Sequence, residues 1–314
     1  MHYTLKHLRY VEAAERHGSI TAAAEALAVS ASSIAAAIDG IEAQLGQPLF
    51  ERHPSRGVLA TRYGHQLIDE LRNFLAAQAR FDRRVNEMGR GLDGTVRIAC
   101  FASLAPIMLP TILSEVHSQH PNLIIQIIEG TVAEVLAAVE HGTADFALGY
   151  SGIIPITARH IPLFTAYPHA ALPAGHPLAS GRYVTLEQLA EEPMVMLDHD
   201  PSRQYFIRLF AARELRPNIV YSARTTDTMR GLIAAGLAYG LFNIRPLSKQ
   251  TYGSGDLVRL PLAGDHDAPR AGVIHRADAQ FGPVARAIIA ACQAQAATGA
   301  FDRAVVRPYD PRNN

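Results

Sequence analysis

Residues 19–46 read SITAAAEALAVSASSIAAAIDGIEAQLG, and two short apolar periodicities flank a break at Ala28-Val29-Ser30. Before the break, Ile20, Ala23, Ala24 and Leu27 fall at helical spacing. After it, Ile34, Ile38, Ile41 and Leu45 follow one face of a helix of about 3.6 residues per turn. Ser30 stands where its hydroxyl can accept an orphan backbone N–H of the second helix. Two short helices joined so tightly cannot both lie flat on one core. They must cross, and the second then turns its polar side outward, as in a helix-turn-helix.

Outward from this pair, Leu5, Leu8, Val11, Ala14 and Glu15 predict a preceding helix that stops at Gly18, with Ser19 or Thr21 capping the next. Beyond Gly46, the segment Pro48 to Thr61 carries Pro54 and Gly57 between short apolar ends, which suits a β-hairpin. Helix pairs are common, so a small packing unit with no role on DNA is the plainer alternative for residues 1–62.

Three pieces of this region resemble the winged helix-turn-helix of the LysR-type transcriptional regulators: LKHLRYVEAAERHGSITAAAEALAVS, IEAQLGQPLFER, and RGVLAT followed by Arg62-Tyr63-Gly64. The resemblance continues to about residue 296. It implies a DNA-binding domain over residues 1–62. That domain would meet double-stranded promoter DNA through Ser30, Ala31, Ser32, Ser33 and Ala36 of the second helix, and through Arg52, His53, Arg56 and Arg62 of the wing.

The chain departs from the family pattern here. Members usually carry Gln-Pro where it has Ala31-Ser32, and a basic residue near Ala36 or Asp39. No Lys or Arg occurs between His17 and Glu51, whereas Glu25, Asp39, Glu42 and Glu51 are acidic. Base readout uses forked donors, and affinity needs cations against phosphate. The reading helix offers hydroxyls and methyl groups only, so cations must come from Lys6, Arg9 and the wing. Weak binding per subunit with a shallow salt dependence is expected. The alternative is a small-molecule-binding LysR-like protein with weakened or lost DNA binding.

Residues 65–90 predict one long helix of about 39 Å. Leu67, Leu71, Phe74, Gln78, Phe81, Val85 and Met88 form a heptad seam broken only by Gln78. Arg72, Arg80, Asp82, Arg83, Arg84 and Glu87 crowd the other positions, so a narrow stripe is buried. A core helix of one large domain is possible, but a second copy covers such a stripe more naturally. The resemblance implies a linker and dimerisation helix over 63–92, pairing through Leu67, Leu71, Phe74, Phe81, Val85 and Met88. Homodimers or homotetramers follow from it, and a weak reader gains from two linked half-site contacts. Gly89, Gly91 and Gly94 mark the boundary.

From Thr95, strands alternate with helices: TVRIACF, LAPIMLPTILSEVHSQH, LIIQIIE, TVAEVLAAVEHG and ADFALGY. That pattern predicts a doubly wound α/β core. A second unit runs from ARHIPLF to YGLFNI, and AGVIHR with the helix Pro283 to Ala296 returns to the first. The resemblance implies a two-lobed effector-binding domain over 93–296, like a type 2 periplasmic binding protein. Its lobe I is 93–164 with 270–296, and its lobe II is 165–269. The expected fold class is thus α/β with an N-terminal winged helix-turn-helix and a long linker helix. The tail, 297–314, reads as disordered.

Ligands of doubly wound sheets sit outside the carboxyl ends of strands, at helix N-termini. Ser103, Thr131, Ser202 and Thr226 occupy such strand-to-helix junctions. Each alone could be an ordinary N-cap. The resemblance brings all four to one inter-lobe cleft. Arg203 adds a cation suited to a carboxylate, or else a surface ion pair. A small organic, carboxylate-type effector is the expected ligand.

Cys100 ends the first strand and Cys292 lies on the last helix. Family peroxide sensors carry a closely spaced pair, absent here, so packing thiols are expected. Asp198-His199-Asp200 and the pair His117/His120 complete no metal set, and neither metal nor cofactor is expected. No nucleophile elbow, P-loop or dinucleotide fingerprint occurs, which argues against an enzyme.

The 314 residues suit two or three domains, 48% of them are hydrophobic, and formal net charge is zero. Gross charge therefore points to no partner. MHYTLKHLRY holds no secretory apolar region, and no apolar run would span a bilayer. A cytoplasmic protein with no membrane partner is the expectation.

Overall fold

The computed structural model describes residues 3–53, 57–87, 95–152, 154–248, 251, 253 and 255–309. They form two compact units, one running through the long linker helix and the other starting at the strand that opens with Thr95.

The N-terminal unit contains α1 (Leu5–His17), α2 (Ile20–Ala26), α3 (Ala31–Leu45), β1 (Phe50–His53), β2 (Gly57–Ala60) and α4 (Arg62–Glu87). Thr4, Ser19 and Ser30 cap the first three helices, each accepting a backbone N–H three residues on. Gly18 and Gly46 end α1 and α3 in left-handed geometry. The axes of α2 and α3 turn by 116°, so the pair crosses as its apolar spacing requires. Val11, Ala23, Ile34 and Ile38 are fully buried where the three helices meet, and Leu49, Phe50 and Val58 of the wing close the same core.

The wing is an antiparallel hairpin pairing Phe50 with Ala60 and His53 with Gly57. Two ties fix it. The Glu42 carboxylate accepts the backbone N–H groups of Leu49 (2.6 Å) and Phe50 (3.1 Å), and Val58 N–H donates to the Gly18 carbonyl at 2.9 Å. At Gly57, φ is 77° and a Cβ would stand 2.1 Å from that carbonyl oxygen. Only glycine allows so close an approach.

The long helix begins at Arg62, so that residue opens α4 instead of sitting on the wing. Its seam divides. Ile68 joins the core under α1, Leu67 packs at the edge of that core, and Leu71 is 5% exposed. Leu71 is therefore covered within its own chain, a correction to the expectation that it faces a second copy, whereas Leu67 is only partly covered. Arg72 pairs with Glu15 of α1, and Arg9 Nη2 donates to Gln78 Oε1 at 2.9 Å. Further along, Phe74, Phe81 and Val85 are exposed by 52%, 65% and 46%. Met88 lies outside the described residues. Among the described residues no single helix is long and apolar enough to cross a membrane.

The second unit is α/β and two-lobed. Its first lobe is a five-stranded sheet ordered β4-β3-β5-β12-β6, built from β3 (Thr95–Phe101), β4 (Ile124–Gly130), β5 (Phe146–Tyr150), β6 (Ala158–Thr165) and β12 (Arg270–Arg276). The first three run parallel, and β12 enters antiparallel between β5 and β6. Alternation on β3 sorts the faces. Ile98 and Cys100 pack with α5 (Ala105–Gln119) and α10 (Pro283–Ala297), while Ala99 packs with α6 (Val132–Glu140).

The other lobe holds an antiparallel sheet ordered β10-β7-β11, from β7 (His169–Pro173), β10 (Gly240–Phe242) and β11 (Leu257–Pro261). Beside it lies a parallel pair, β8 (Pro193–Leu197) and β9 (Asn218–Ala223). A bridge from Met194 to Tyr239 joins the two. Helices α7 (Leu186–Ala190), α8 (Asp200–Ala211) and α9 (Thr226–Ala234) complete the lobe.

The tail corrects the sequence reading. Phe301 and Ala304 are each 2% exposed, Phe301 stacks on Phe164, and Arg245 N–H donates to the Ala304 carbonyl. Tyr309 stacks on Tyr183 with ring centroids 4.4 Å apart. Two aromatic anchors outweigh the composition of a polar, Pro-containing end. Residues 310–314 lie outside the described part.

Candidate functional site

The outward face of α3 presents Ser32, Ser33 and Ala36, all exposed, with Asp39 next along. Ala31, at the head of the helix, is half-buried and packs in part against the head's core. The Ser30 hydroxyl is occupied: it accepts Ser33 N–H at 3.2 Å and lies 3.0 Å and 2.7 Å from the hydroxyls of Ser32 and Ser33. On the wing, Arg52 pairs with Asp39, and His53 Nε2 is 3.5 Å from the Glu51 carboxylate. Arg52 is thus engaged by Asp39 of α3 rather than free. Arg56 lies outside the described residues.

In the second unit a cavity of about 590 Å³ opens between the lobes, a size ordinary for a small-molecule site. Ser103 and the start of α5 line one side; Ser202 and the start of α8, and Thr226 at the start of α9, line the other. Among the described residues the hydroxyls of Ser103, Ser202 and Thr226 have no hydrogen-bond partner and are half-buried. Neither Leu104 at the head of α5 nor His199 at the head of α8 caps its helix with a side chain. Two helix N-termini thus border the same space, a setting that favours negative charge.

Thr131 and Arg203 do not line this cavity. Thr131 is an N-cap: its hydroxyl accepts Glu134 N–H at 3.3 Å, and the Glu134 carboxylate accepts Thr131 N–H at 2.7 Å. That reciprocal bond holds the exposed Glu134 carboxyl below its ordinary range. Arg203 reaches back to Asp198, 3.7 Å away. The structure thus corrects the expectation that these two line the cleft: the Thr131 hydroxyl is used in its own cap, and Arg203 lies beside Asp198 outside the cavity.

The cavity's cations are Arg208, Arg224 and Arg230. Arg224 sits immediately before the Thr225-Thr226 pair, so its position was readable. The place of Arg208 and Arg230 depends on where helix faces point after packing. Tyr205 and Asn243 also line the wall. The Tyr205 hydroxyl donates to the Asp267 carbonyl at 2.9 Å and accepts from Asn243 Nδ2 at 3.4 Å. Burial pushes this phenol up to about 12, so it stays protonated. Phe101, Leu197, Phe206 and Phe242 make the remaining walls largely apolar.

Both cysteines are fully buried in one core. Burial pushes the Cys100 thiol upward, with Glu129 adding to it, and pushes Cys292 up to about 12. Neither forms thiolate readily. The native protein is expected to resist iodoacetamide at about pH 8 and to react at both thiols once denatured, as mass spectrometry of the adducts will read. A native thiol alkylating as fast as a free peptide would overturn this. Among the described residues no group of three or more His, Cys, Asp or Glu is placed to hold a metal.

Residues 5–65 match the model of the bacterial regulatory helix-turn-helix protein, lysR family, and residues 89–297 match that of the LysR substrate binding domain. The Escherichia coli uncharacterized HTH-type transcriptional regulator YnfL is 30% identical over 268 residues, covering 84% of this chain and 89% of its own. The Burkholderia cenocepacia HTH-type transcriptional regulator CysB is 29% identical, covering 76% and 77%. Among solved structures, HinK, a LysR family transcriptional regulator from Pseudomonas aeruginosa, is similar with a TM-score of 0.62 and 30% identity, over 94% of this chain and 99% of that one. The two family models together span nearly the whole chain, with the paired helices and wing in one and the two-lobed cleft in the other, and the chain belongs to the LysR family of transcriptional regulators.

Proposed function

We propose that this regulator senses a small organic anion with an apolar body in the cavity between its lobes and binds promoter DNA as a homo-oligomer. The observation that carries the effector reading is the convergence of three unpartnered hydroxyls, Ser103, Ser202 and Thr226, with two helix N-termini on one largely apolar space. An anionic end, a carboxylate for instance, takes these donors, and Arg224 or Arg208 supplies the countercharge. The apolar wall takes the rest. Because the hydroxyls come from both lobes, a ligand touching all three favours a closed arrangement, and that differential contact is what a switch requires.

DNA binding is assigned to Ser32, Ser33 and Ala36 of α3, to Arg52 and His53 of the wing, to Arg62 at the start of α4 and, from the sequence, to Arg56. A working head is favoured over one that has lost DNA binding, since the helix-turn-helix match covers the whole head. The exposed stripe Phe74, Phe81, Val85 is assigned to pairing with a second copy.

A thermal-shift survey of small carboxylates against their uncharged amides tests the effector reading. A carboxylate that binds is expected to lose about tenfold or more in affinity by calorimetry on Arg224→Gln or Ser103→Ala, and nothing on Arg203→Ala. Amides binding as well as acids would overturn the anionic assignment. Loss on Arg203→Ala with Arg224→Gln silent would reverse the residue assignment.

A further inference from the structure

Two guanidinium groups share one carbonyl in the second lobe, and a third lies near them. Arg230 of α9 and Arg259 of β11 both donate Nη2 to the Ser248 carbonyl, at 3.2 Å and 3.3 Å. A shared acceptor brings the two cations within two hydrogen-bond lengths of each other. Arg245, just past β10, is held by its Nε donating to the Arg303 carbonyl at 2.9 Å. The three charges oppose one another: the Arg259 guanidinium is pushed down to about 10 by burial, then by Arg230 and Arg245.

Countercharge is scarce at Arg245 and Arg259. Asp227 lies 3.4 Å from Arg230 Nη1. Among the described residues neither Arg245 nor Arg259 has a carboxylate within ion-pair distance. The sequence from Thr228 to Gly255 contains no Asp or Glu, so the loop through residue 248 supplies none. His169 lies near Arg245 and Arg259. Burial first, and then those two arginines, hold it down to about 3, so it adds no charge and relieves none.

Like charges this close disfavour one another unless something negative sits among them. A carbonyl offers two lone pairs and no charge. A tetrahedral oxyanion offers several acceptor oxygens and up to two charges, which suits forked guanidinium donors far better. We propose that Arg230, Arg245 and Arg259 form a binding site for a phosphate- or sulfate-type oxyanion, which adjoins the hydroxyl-lined cleft at Arg230 and is centred on Arg259 and Arg245 outside it. Arg245 and Arg259 retain partial exposure, so solvent ions reach them. An anion here ties α9, the stretch after β10, and β11 together. Through Arg245 it also holds the terminal segment at 303–304, which receives both the backbone and the side chain of that residue.

The test is calorimetry and thermal unfolding of the full chain with inorganic phosphate and, in a parallel arm, inorganic sulfate, against chloride at equal ionic strength. One oxyanion per chain is expected, with a rise in unfolding midpoint that chloride does not produce. Arg259→Gln is expected to weaken binding at least tenfold, and Arg245→Gln gives a second reading should the first variant fold poorly. Arg224→Gln, on the cleft wall, is expected to leave phosphate binding unchanged. Arg230 borders the cleft as well, so Arg259 is the discriminating position. No saturable binding below about 10 mM, or equal binding by wild type and both Arg259→Gln and Arg245→Gln, would overturn the site. Loss on Arg224→Gln alone would move the anion into the cleft and end the proposal. Phosphate without sulfate would narrow the site to a protonatable anion and still support it.

Discussion

Phe74→Asp combined with Phe81→Asp is expected to yield a folded monomer that binds promoter DNA at least about a hundredfold more weakly than wild type. Both rings are more than half exposed in the chain, at 52% and 65%, so the substitutions remove nothing from its own core. Folding should be unchanged by circular dichroism. They lie on one stripe of α4, with Val85 on the next turn, while Ile68 and Leu71 nearer the start of the helix are buried against the head. An exposed aromatic stripe on a helix that is otherwise polar costs solvation unless a partner covers it. Two charged residues in its middle should block that partner.

The effect on DNA follows from linkage of two heads. Each reading surface is short of cations, so a single head binds poorly, and tethering the second multiplies affinity without any new contact. Sedimentation gives the oligomeric state, and a gel shift on the upstream region gives affinity. A double variant that remains a dimer would show that α4 is not the pairing element. A monomer with undiminished DNA affinity would show that one head suffices.

The limits of the sequence lie in particular side chains. The helix-turn-helix was legible because Ile34, Ile38 and Ile41 repeat at helical spacing and do fill the core. The α/β pattern was legible for the same reason: β3 to β5 are apolar runs bounded by helix starts. The heptad seam was misread at its beginning. A stripe shows that something covers Leu71, but not whether the cover is its own chain or a second copy, since both present the same apolar surface. Thr131 and Arg203 failed for a related reason. A hydroxyl or guanidinium at a helix start has two possible customers, the local backbone or acid and a ligand. Glu134 lies three residues beyond Thr131, and Asp198 lies close enough to engage Arg203. Tail order was hidden because Phe301 and Tyr309 find their stacking partners, Phe164 and Tyr183, more than a hundred residues away.

Asp39→Asn is expected to tighten DNA binding about tenfold at low salt and to steepen its salt dependence. In the free protein Arg52 of the wing is paired with Asp39 on the reading face of α3. Both side chains are about half exposed, so the pair contributes at most about 1 kcal/mol. A phosphate can displace it, but that energy is forfeited in each head, and the freed carboxylate remains on the face turned to the DNA. Asparagine keeps the shape and removes both penalties. Two heads regaining about 0.7 kcal/mol each make up the tenfold change. To the extent that Asp39 keeps Arg52 from phosphate in the wild type, freeing two arginines steepens the plot of log affinity against log salt by up to about 1.8. The gain should shrink as salt rises, because a phosphate contact is screened. Glu25→Gln, an exposed acid on α2, controls for a general change in charge and is expected to move affinity less. Fluorescence anisotropy at three or four salt concentrations separates the cases. Equal affinity and slope for Asp39→Asn and wild type would mean that Arg52 makes no phosphate contact even when released from Asp39, and the head would then have to bind through His53, Arg56 and Arg62, the last of which opens α4.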